Sequence, residues 1–458
     1  MDTDIRILEL KPFFTSEKPR VPLKFGGVVM DRSEYCHVRA RVENRSGTWA
    51  EGWGAIFMSD VWAWPTAAVA QPERSALMCE LVRVWCRRVA EYQEVAHPID
   101  IFWRLEDELV AVSDRLCDER GLAERMPRLG ALVCASPVDA ALHDAFGNAA
   151  GIDTYRGYGQ AHLGHDLSAY LGANFAGRYP SDFLSPMPEM IDAFHLVGGL
   201  DKLTVGEVTA DDPKDGLPVS LDEWVRFEGL HCLKVKLGGK DLDWDLDRLD
   251  AVTRIALAEH AKLGIDELFL TADTNEQCES PEYAVELLNK LREINPVAFE
   301  AILYIEQPCE RDLRRRRLDV RELARLKPVV IDEALASLED FDLALELGYT
   351  GVALKSCKCQ SAELVIAAKA TGLGIPYTIQ DLTNPGIALL HSVGLAGHLS
   401  PIKGVESNSR QFFAATSDPE KKVHPGVYRL TKGRIDTRSI RGTGLGYRWG
   451  EIGRRFDG

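Results

Sequence analysis

No stretch of about 18 apolar residues occurs in this chain, so nothing in it reads as a membrane-spanning helix. Positive charge is also in short supply. Against 70 Asp and Glu stand 54 Lys and Arg, a formal net charge of −16. Nucleic acid and anionic membrane need a concentrated positive surface, so neither is an expected partner. One basic run, Arg311 to Arg317, stands apart and reads as a solvated helix face. Regular cysteine spacing is missing too. The ten cysteines are scattered, Cys357 and Cys359 lie too close for a zinc pair, and no disulfide framework is indicated. The opening Met1-Asp2-Thr3-Asp4 leads into no apolar run, so a signal peptide is not expected and a soluble, cytoplasmic protein is. Gly442-x-Gly444-x-Gly446 lacks the strand and helix context of a dinucleotide fingerprint.

What is present is an ordinary globular composition, 45% hydrophobic and 27% charged. At 458 residues the chain exceeds the roughly 250–300 residues of one compact core, so two domains are expected. Residues 1–150 read as an α+β domain. Cys36-His37-Val38-Arg39-Ala40-Arg41-Val42 is its clearest strand and Asn44-Arg45-Ser46-Gly47 the following turn. From about 72 to 150 apolar residues recur at helical spacing, as in Val138, Ala141, Leu142 and Ala145. Residues 151–199 carry no clear period and read as an irregular connection.

From residue 200 to 409 short apolar runs alternate with amphipathic stretches. The runs are 203–208, 232–237, 268–273, 302–307, 329–333, 351–355, 376–381 and 402–406. Strands separated by helices imply parallel βαβ units, and eight of them match a closed (β/α)8 barrel of the TIM type. Residues 410–458 lose this rhythm and are expected to return to the first domain.

Most of these runs end in an ionisable residue: Lys234 and Lys236, Asp273, Glu306, Asp332 and Glu333, then Lys355. Catalytic groups of a barrel come from the C-terminal ends of its strands, and a charge at the end of a buried strand is costly unless paired or bound to something. Asp273, Glu306 and Asp332 leave three neighbouring strands, so their carboxylates can converge. Oxygen ligands without His or Cys favour Mg²⁺. Lys234 and Lys236 are two apart and share one strand face. Lys355 leaves the sixth strand, across the barrel. The two ammonium groups of Lys234 and Lys236, together with the divalent cation, are expected to lower each other's pKa, as a general base requires. A carboxylate held over the metal then meets a lysine on either side, an arrangement suited to removing the proton beside the carboxylate.

These motifs in order, Leu233-Lys234-Val235-Lys236, Ala272-Asp273-Thr274-Asn275, Tyr304-Ile305-Glu306-Gln307-Pro308, Ile331-Asp332-Glu333 and Leu354-Lys355, resemble the enolase superfamily. The likeness is greatest to its muconate lactonizing enzyme-like branch within the mandelate racemase/muconate lactonizing enzyme family. Glu51-Gly52-Trp53-Gly54, Asp139 through Ala145 and Gly442 through Gly446 are similar to the family's capping elements. The resemblance implies a modified barrel under an α+β capping domain that residues 410–458 complete. It implies Asp273, Glu306 and Asp332 as Mg²⁺ ligands, with Glu333 replacing or supplementing Asp332 and Asn275 as a further metal contact or support. Lys236 and Lys355 would be the acid/base pair and Lys234 would hold the substrate carboxylate or tune Lys236. Gln380, Asp381, Glu406, Trp53 and Trp62 are candidate substrate contacts.

In the aromatic stretch from Phe57 to Trp64, closure over the substrate and packing between domains are equally open readings. His143 and His391 read as satisfied helix histidines. The seventh strand has no His, unlike the mandelate racemase and dehydratase branches, and Gly404-Val405-Glu406-Ser407-Asn408 replaces the Asp-x-Asp of dipeptide epimerases. The implied activity is racemisation or epimerisation of a small-molecule carboxylate through an enediolate. A cycloisomerase or dehydratase lyase, or more remotely a non-catalytic binding barrel, stays open. A homo-oligomer is expected on general grounds.

Overall fold

The computed structural model describes residues 1–25 and 28–456. Its first part is an antiparallel sheet of β1 (Ile5–Glu17), β2 (Ser33–Asn44) and β3 (Trp49–Phe57) in that order. The β2–β3 turn is closed by the Asn44 side chain, whose Oδ1 accepts from Ser46 and Thr48 N–H at 3.0 and 2.9 Å. This is a local bond that asparagine is suited to make. Helices α1 (Gln71–Ala90), α2 (Pro98–Glu119) and α3 (Arg128–Ala150) follow.

α3 is almost entirely buried, and the glycines of Glu51-Gly52-Trp53-Gly54 explain how it lies on the sheet. A Cβ at Gly52 would stand 2.0 Å from Ala145 N, and one at Gly54 2.1 Å from the Pro137 carbonyl oxygen. Only glycine allows that approach.

The second part is an eight-stranded parallel barrel: β4 (Met190–Val197), β5 (Cys232–Lys236), β6 (Phe269–Asp273), β7 (Ile302–Glu306), β8 (Val329–Ile331), β9 (Gly351–Lys355), β10 (Tyr377–Gln380) and β11 (Val405–Glu406). Pairing of Val405 and Glu406 with Ala193 and Phe194 closes it. The strands are buried almost throughout, as parallel strands covered by helices must be. Outside them lie α4 (Leu221–Glu228), α5 (Leu242–Leu263), α6 (Pro281–Ile294), α7 (Leu338–Glu346), α8 (Gln360–Gly372) and α9 (Gly386–His398).

Two expected strands are corrected. The first barrel strand is Met190–Val197, inside the stretch read as irregular, and residues 203–208 form a turn instead. There Glu207 Oε1 accepts from Thr204 N–H and Oγ at 2.9 and 3.0 Å. This capping box closes a short 3-10 turn, a side-chain signal that the apolar-run reading passed over. The eighth strand is only Val405–Glu406. The ten cysteines are all buried and unpaired. Among the described residues no helix is long and apolar enough to cross a membrane.

After the barrel the chain adds β12 (Arg434–Asp436), antiparallel to the lower half of β4, and then runs to the first sheet. Leu445 N–H donates to Asp144 Oδ1 at 2.7 Å, and Trp449 stacks on Trp53 with ring centroids 4.0 Å apart.

Candidate active site

The strand register sets the catalytic row. Lys236 lies opposite Asp273, Asp273 opposite Glu306, and Lys355 opposite Gln380. The lysines of β5 and β9 stand four strands apart in a closed barrel of eight, on opposite sides of its axis. All these side chains are buried.

Lys234 Nζ is the hub of one side. It lies 2.5 Å from Glu406 Oε1, 2.7 Å from Glu306 Oε1 and 3.1 Å from Asp273 Oδ2. Lys236 donates to the same Asp273 oxygen. Gln380 Nε2 donates to Glu306 Oε2 at 2.5 Å. Across the barrel, Lys355 Nζ donates to Asp332 Oδ2 at 2.7 Å and sits 4.6 Å from the centre of the Trp62 ring. The Trp62 indole N–H and the Asn275 amide both donate to Glu333 Oε1 at 3.0 Å. Asn275 N–H also holds Asp273 Oδ1 at 2.7 Å. Asp381 accepts from Thr383 and Asn408 N–H and lines the loop ends after β10 and β11.

Burial disfavours charge here, and the neighbours decide the outcome. Lys234 is opposed by burial, yet Glu306, Glu406 and Asp273 hold its ammonium well above the ordinary lysine range. Lys355 is likewise opposed by burial and raised by Asp332. At Lys234 the three carboxylates outweigh the neighbouring Lys236 ammonium, opposite in direction to the lowering expected beside a second ammonium and a divalent cation. Asp332, despite burial, is drawn down to about 2 by Lys355 and Lys358. Glu306 moves the other way, raised by burial and by the Asp273 charge. Burial and the adjacent Asp332 push Glu333 up to about 7, and burial and Glu406 do the same to Asp381.

Among the described residues no three His, Cys, Asp or Glu side chains stand in metal-binding geometry. The carboxylates are turned to the lysines. The donor set nevertheless fits a hard divalent cation. It is buried and made of oxygen alone, its six carboxyls (Asp273, Glu306, Asp332, Glu333, Asp381, Glu406) outnumber the four ammonium groups, and Glu333 Oε2 is buried with no partner.

Three groups escaped the sequence reading. Lys358 is buried, and its Nζ donates to the Asp332 carbonyl at 2.7 Å and lies 3.4 Å from Asp332 Oδ1; the signal was a second lysine three residues after Lys355. Gln307 Oε1 accepts from Asp332 and Ala334 N–H at 2.9 and 3.2 Å, orienting the end of β8. Arg311 departs from the solvated run. Its guanidinium grips Glu276 and donates to the Trp62 carbonyl at 3.0 Å, tying the first domain's aromatic loop to the barrel. Its neighbours Arg314 to Arg317 are exposed as expected.

The aromatic loop divides between the two readings. Trp62 reaches the site, whereas Trp64 is buried in the core of the first domain. Trp53 is not brought to the site; it packs with Phe13, Trp449 and Phe456. His143 is satisfied by Ser361 and Tyr158 at 2.8 and 2.9 Å, and His391 by Gln360 at 2.6 Å.

Comparison with known proteins agrees with this architecture. Residues 218–451 match the family model described as enolase C-terminal domain-like. No curated protein matches the sequence. Among solved structures, an enolase from Bradyrhizobium complexed with magnesium and mandelic acid aligns over 99% of both chains, at 16% identity and a TM-score of 0.58. The muconate lactonizing enzyme from Mucobacterium Smegmatis complexed with muconolactone aligns over 96% of both chains, at 15% identity and a TM-score of 0.57. The dipeptide epimerase from Enterococcus faecalis V583 complexed with Mg and the dipeptide L-Leu-L-Tyr covers 88% of this chain and 90% of its own, at 16% identity and a TM-score of 0.56. With more than half of its length matched by the family model, the chain belongs to the enolase C-terminal domain-like family.

Proposed function

We propose that the protein is a Mg²⁺-dependent racemase or epimerase that removes and returns the proton beside the carboxylate of a small-molecule substrate. The observation that carries this reading is the placement of Lys236 and Lys355 on opposite walls of the barrel, with the carboxylates Asp273, Glu306 and Asp332 between them. Asp273, Glu306 and Asp332 would hold the ion, with Glu333 beside them. When bound, Mg²⁺ supplies Lewis-acid stabilisation of the second charge that grows on the substrate carboxyl as its α-proton leaves.

The chain's own groups perform the proton transfer. One lysine, neutral at the start, takes the α-proton at Nζ from one face, giving an enediolate. The other, as an ammonium, returns a proton to the opposite face of the same carbon, inverting it. Lys234, held charged, places a positive group where the enediolate charge develops. Lys236 must let go of Asp273 and Lys355 of Asp332 before either can serve, so breaking these two ion pairs is part of substrate binding. Trp62, tied down through Arg311, covers Lys355 and excludes water from that side.

A second reading is a cycloisomerase or other lyase. It is favoured by Lys355 itself, held as a cation between Asp332 and the Trp62 ring, a setting suited to stabilising charge. Incubation with N-acyl amino acids, dipeptides and acid sugars in deuterated water with Mg²⁺ separates the readings. Racemisation gives inverted product carrying deuterium at the α-carbon. Ring closure or loss of water assigns the lyase. Absence of both exchange and product across substrates that bind overturns the proton-transfer reading.

A further inference from the structure

Trp62 comes from the first domain, reaches the catalytic groups and is held at both ends. Its indole N–H donates to Glu333 Oε1, the same oxygen that accepts from the Asn275 amide, both at 3.0 Å. Its backbone carbonyl accepts from Arg311 Nη1 at 3.0 Å. Arg311 is in turn clamped by Glu276, which accepts from its backbone N–H and its Nε at 2.9 Å and from its Nη2 at 2.5 Å. Asn275 and Glu276 are consecutive. The two tethers of Trp62 therefore end on one dipeptide and close a ring between the domains.

That dipeptide is strained. Asn275 and Glu276 have φ of 44° and 63°, and Gln307, to which Glu276 is bonded, has 31°. Non-glycine residues are uncommon in this region and persist where their surroundings over-determine them, often at clamps and switches. Here Glu276 N–H donates to the Gln307 carbonyl at 2.9 Å, and Cys278 N–H to the Pro308 carbonyl at 3.0 Å. These bonds fix the end of β6 against the end of β7 and present Glu276 to Arg311. On its other side the aromatic loop is anchored in the first domain, where Asp60 accepts from Gln71 Nε2 at 3.1 Å and lies 3.2 Å from Arg74 Nη2.

Resting on the ion-binding reading above, we infer that Glu276 is a positioning residue. Through Arg311 it holds Trp62 over Lys355 and against Glu333, and so couples closure of the aromatic loop to occupancy of the ion site. Only Oε1 of Glu333 serves the ring, so the ion and the closed loop do not compete for one oxygen. Whatever the closed loop adds to ion affinity, the ion returns to loop closure.

Hydrogen–deuterium exchange of the full-length protein, read by mass spectrometry on the segment 57–64, tests this with and without Mg²⁺. The N–H groups of Trp62, Ala63 and Trp64 are hydrogen-bonded within that segment, so it has protection to lose. Glu276→Gln keeps the shape and removes the charge. Glu276→Gln combined with Arg311→Met leaves neither charge buried alone, which protects the fold. In both variants exchange at 57–64 is expected to rise at least about tenfold while the barrel strands keep theirs, as loss of a charge-assisted pair requires. Mg²⁺ is expected to slow exchange there in the wild type, and its calorimetric affinity to fall about fivefold in the variants. Unchanged exchange at 57–64 overturns the inference. So does faster exchange spread evenly over the barrel, which marks a packing pair, or faster local exchange with Mg²⁺ affinity unchanged, which removes the coupling. A wild type that binds no Mg²⁺ overturns the ion-binding reading and the coupling with it. Neither readout uses turnover, so absence of proton transfer alone leaves the inference standing.

Discussion

Lys234 and Lys236 leave one face of β5 and share a single oxygen, Asp273 Oδ2. Lys355 and Lys358 divide one residue between them instead. Lys355 takes Asp332 Oδ2, and Lys358 takes the carbonyl and the neighbourhood of Oδ1. The first arrangement follows from the period of a strand, in which residues two apart point the same way. The second follows from the 3-10 turn Ser356–Lys358 that ends β9 and carries the second lysine behind the first. The first pair therefore concentrates charge inside the barrel, whereas the second sets one lysine toward the substrate and the other as a strut for a carboxylate.

Substitutions at the four lysines are expected to give different signatures. Lys236→Ala and Lys355→Ala should each lower α-proton exchange by about 10³-fold or more with the fold intact, measured by deuterium incorporation alongside circular dichroism. Equal retention of activity in both would remove the distinction between transfer and support. Lys234→Ala should destabilise the protein by about 3–5 kcal/mol in urea unfolding, because Glu306, Glu406 and Asp273 lose a shared buried counter-charge. Lys358→Met should weaken Mg²⁺ binding by about 10- to 100-fold in calorimetry, the usual consequence of losing a group that orients a ligand. Lys358→Arg is expected to recover part of that loss. Trp62→Phe should have the smallest effect, a KM change of a few fold, since it keeps the ring over Lys355 and removes one hydrogen bond of about 1 kcal/mol to Glu333.

The first pair was legible from the sequence and the second only in part, for the same geometric reason. A strand's two-residue period fixes which side chains share a face, so Lys-x-Lys declares itself. The direction of Lys358 depends on a turn that no periodicity announces. The row Asp273, Glu306 and Asp332 could be read because each carboxylate ends an apolar run. Arg311 was hidden by its exposed neighbours, and its inward turn depends on Glu276 and on a carbonyl 249 residues away in sequence. Met190–Val197 lies in a stretch without a clear period, where Asp192 and His195 interrupt the apolar pattern, whereas in 203–208 the Thr204–Glu207 capping box outweighed strand propensity. At Lys234 the Lys-x-Lys spacing reveals the neighbouring ammonium but not the three carboxylates from other strands that surround it.

The claim most exposed to test is that Asp273, Glu306 and Asp332 bind one divalent ion between Lys236 and Lys355. A crystal of the full-length protein soaked in Mn²⁺, an anomalous stand-in for Mg²⁺, addresses it directly. The account predicts one strong anomalous peak in contact with all three carboxylates, with the two lysine amines on either side of it. An ion bound elsewhere, or no peak at those carboxylates in saturating Mn²⁺, would contradict it.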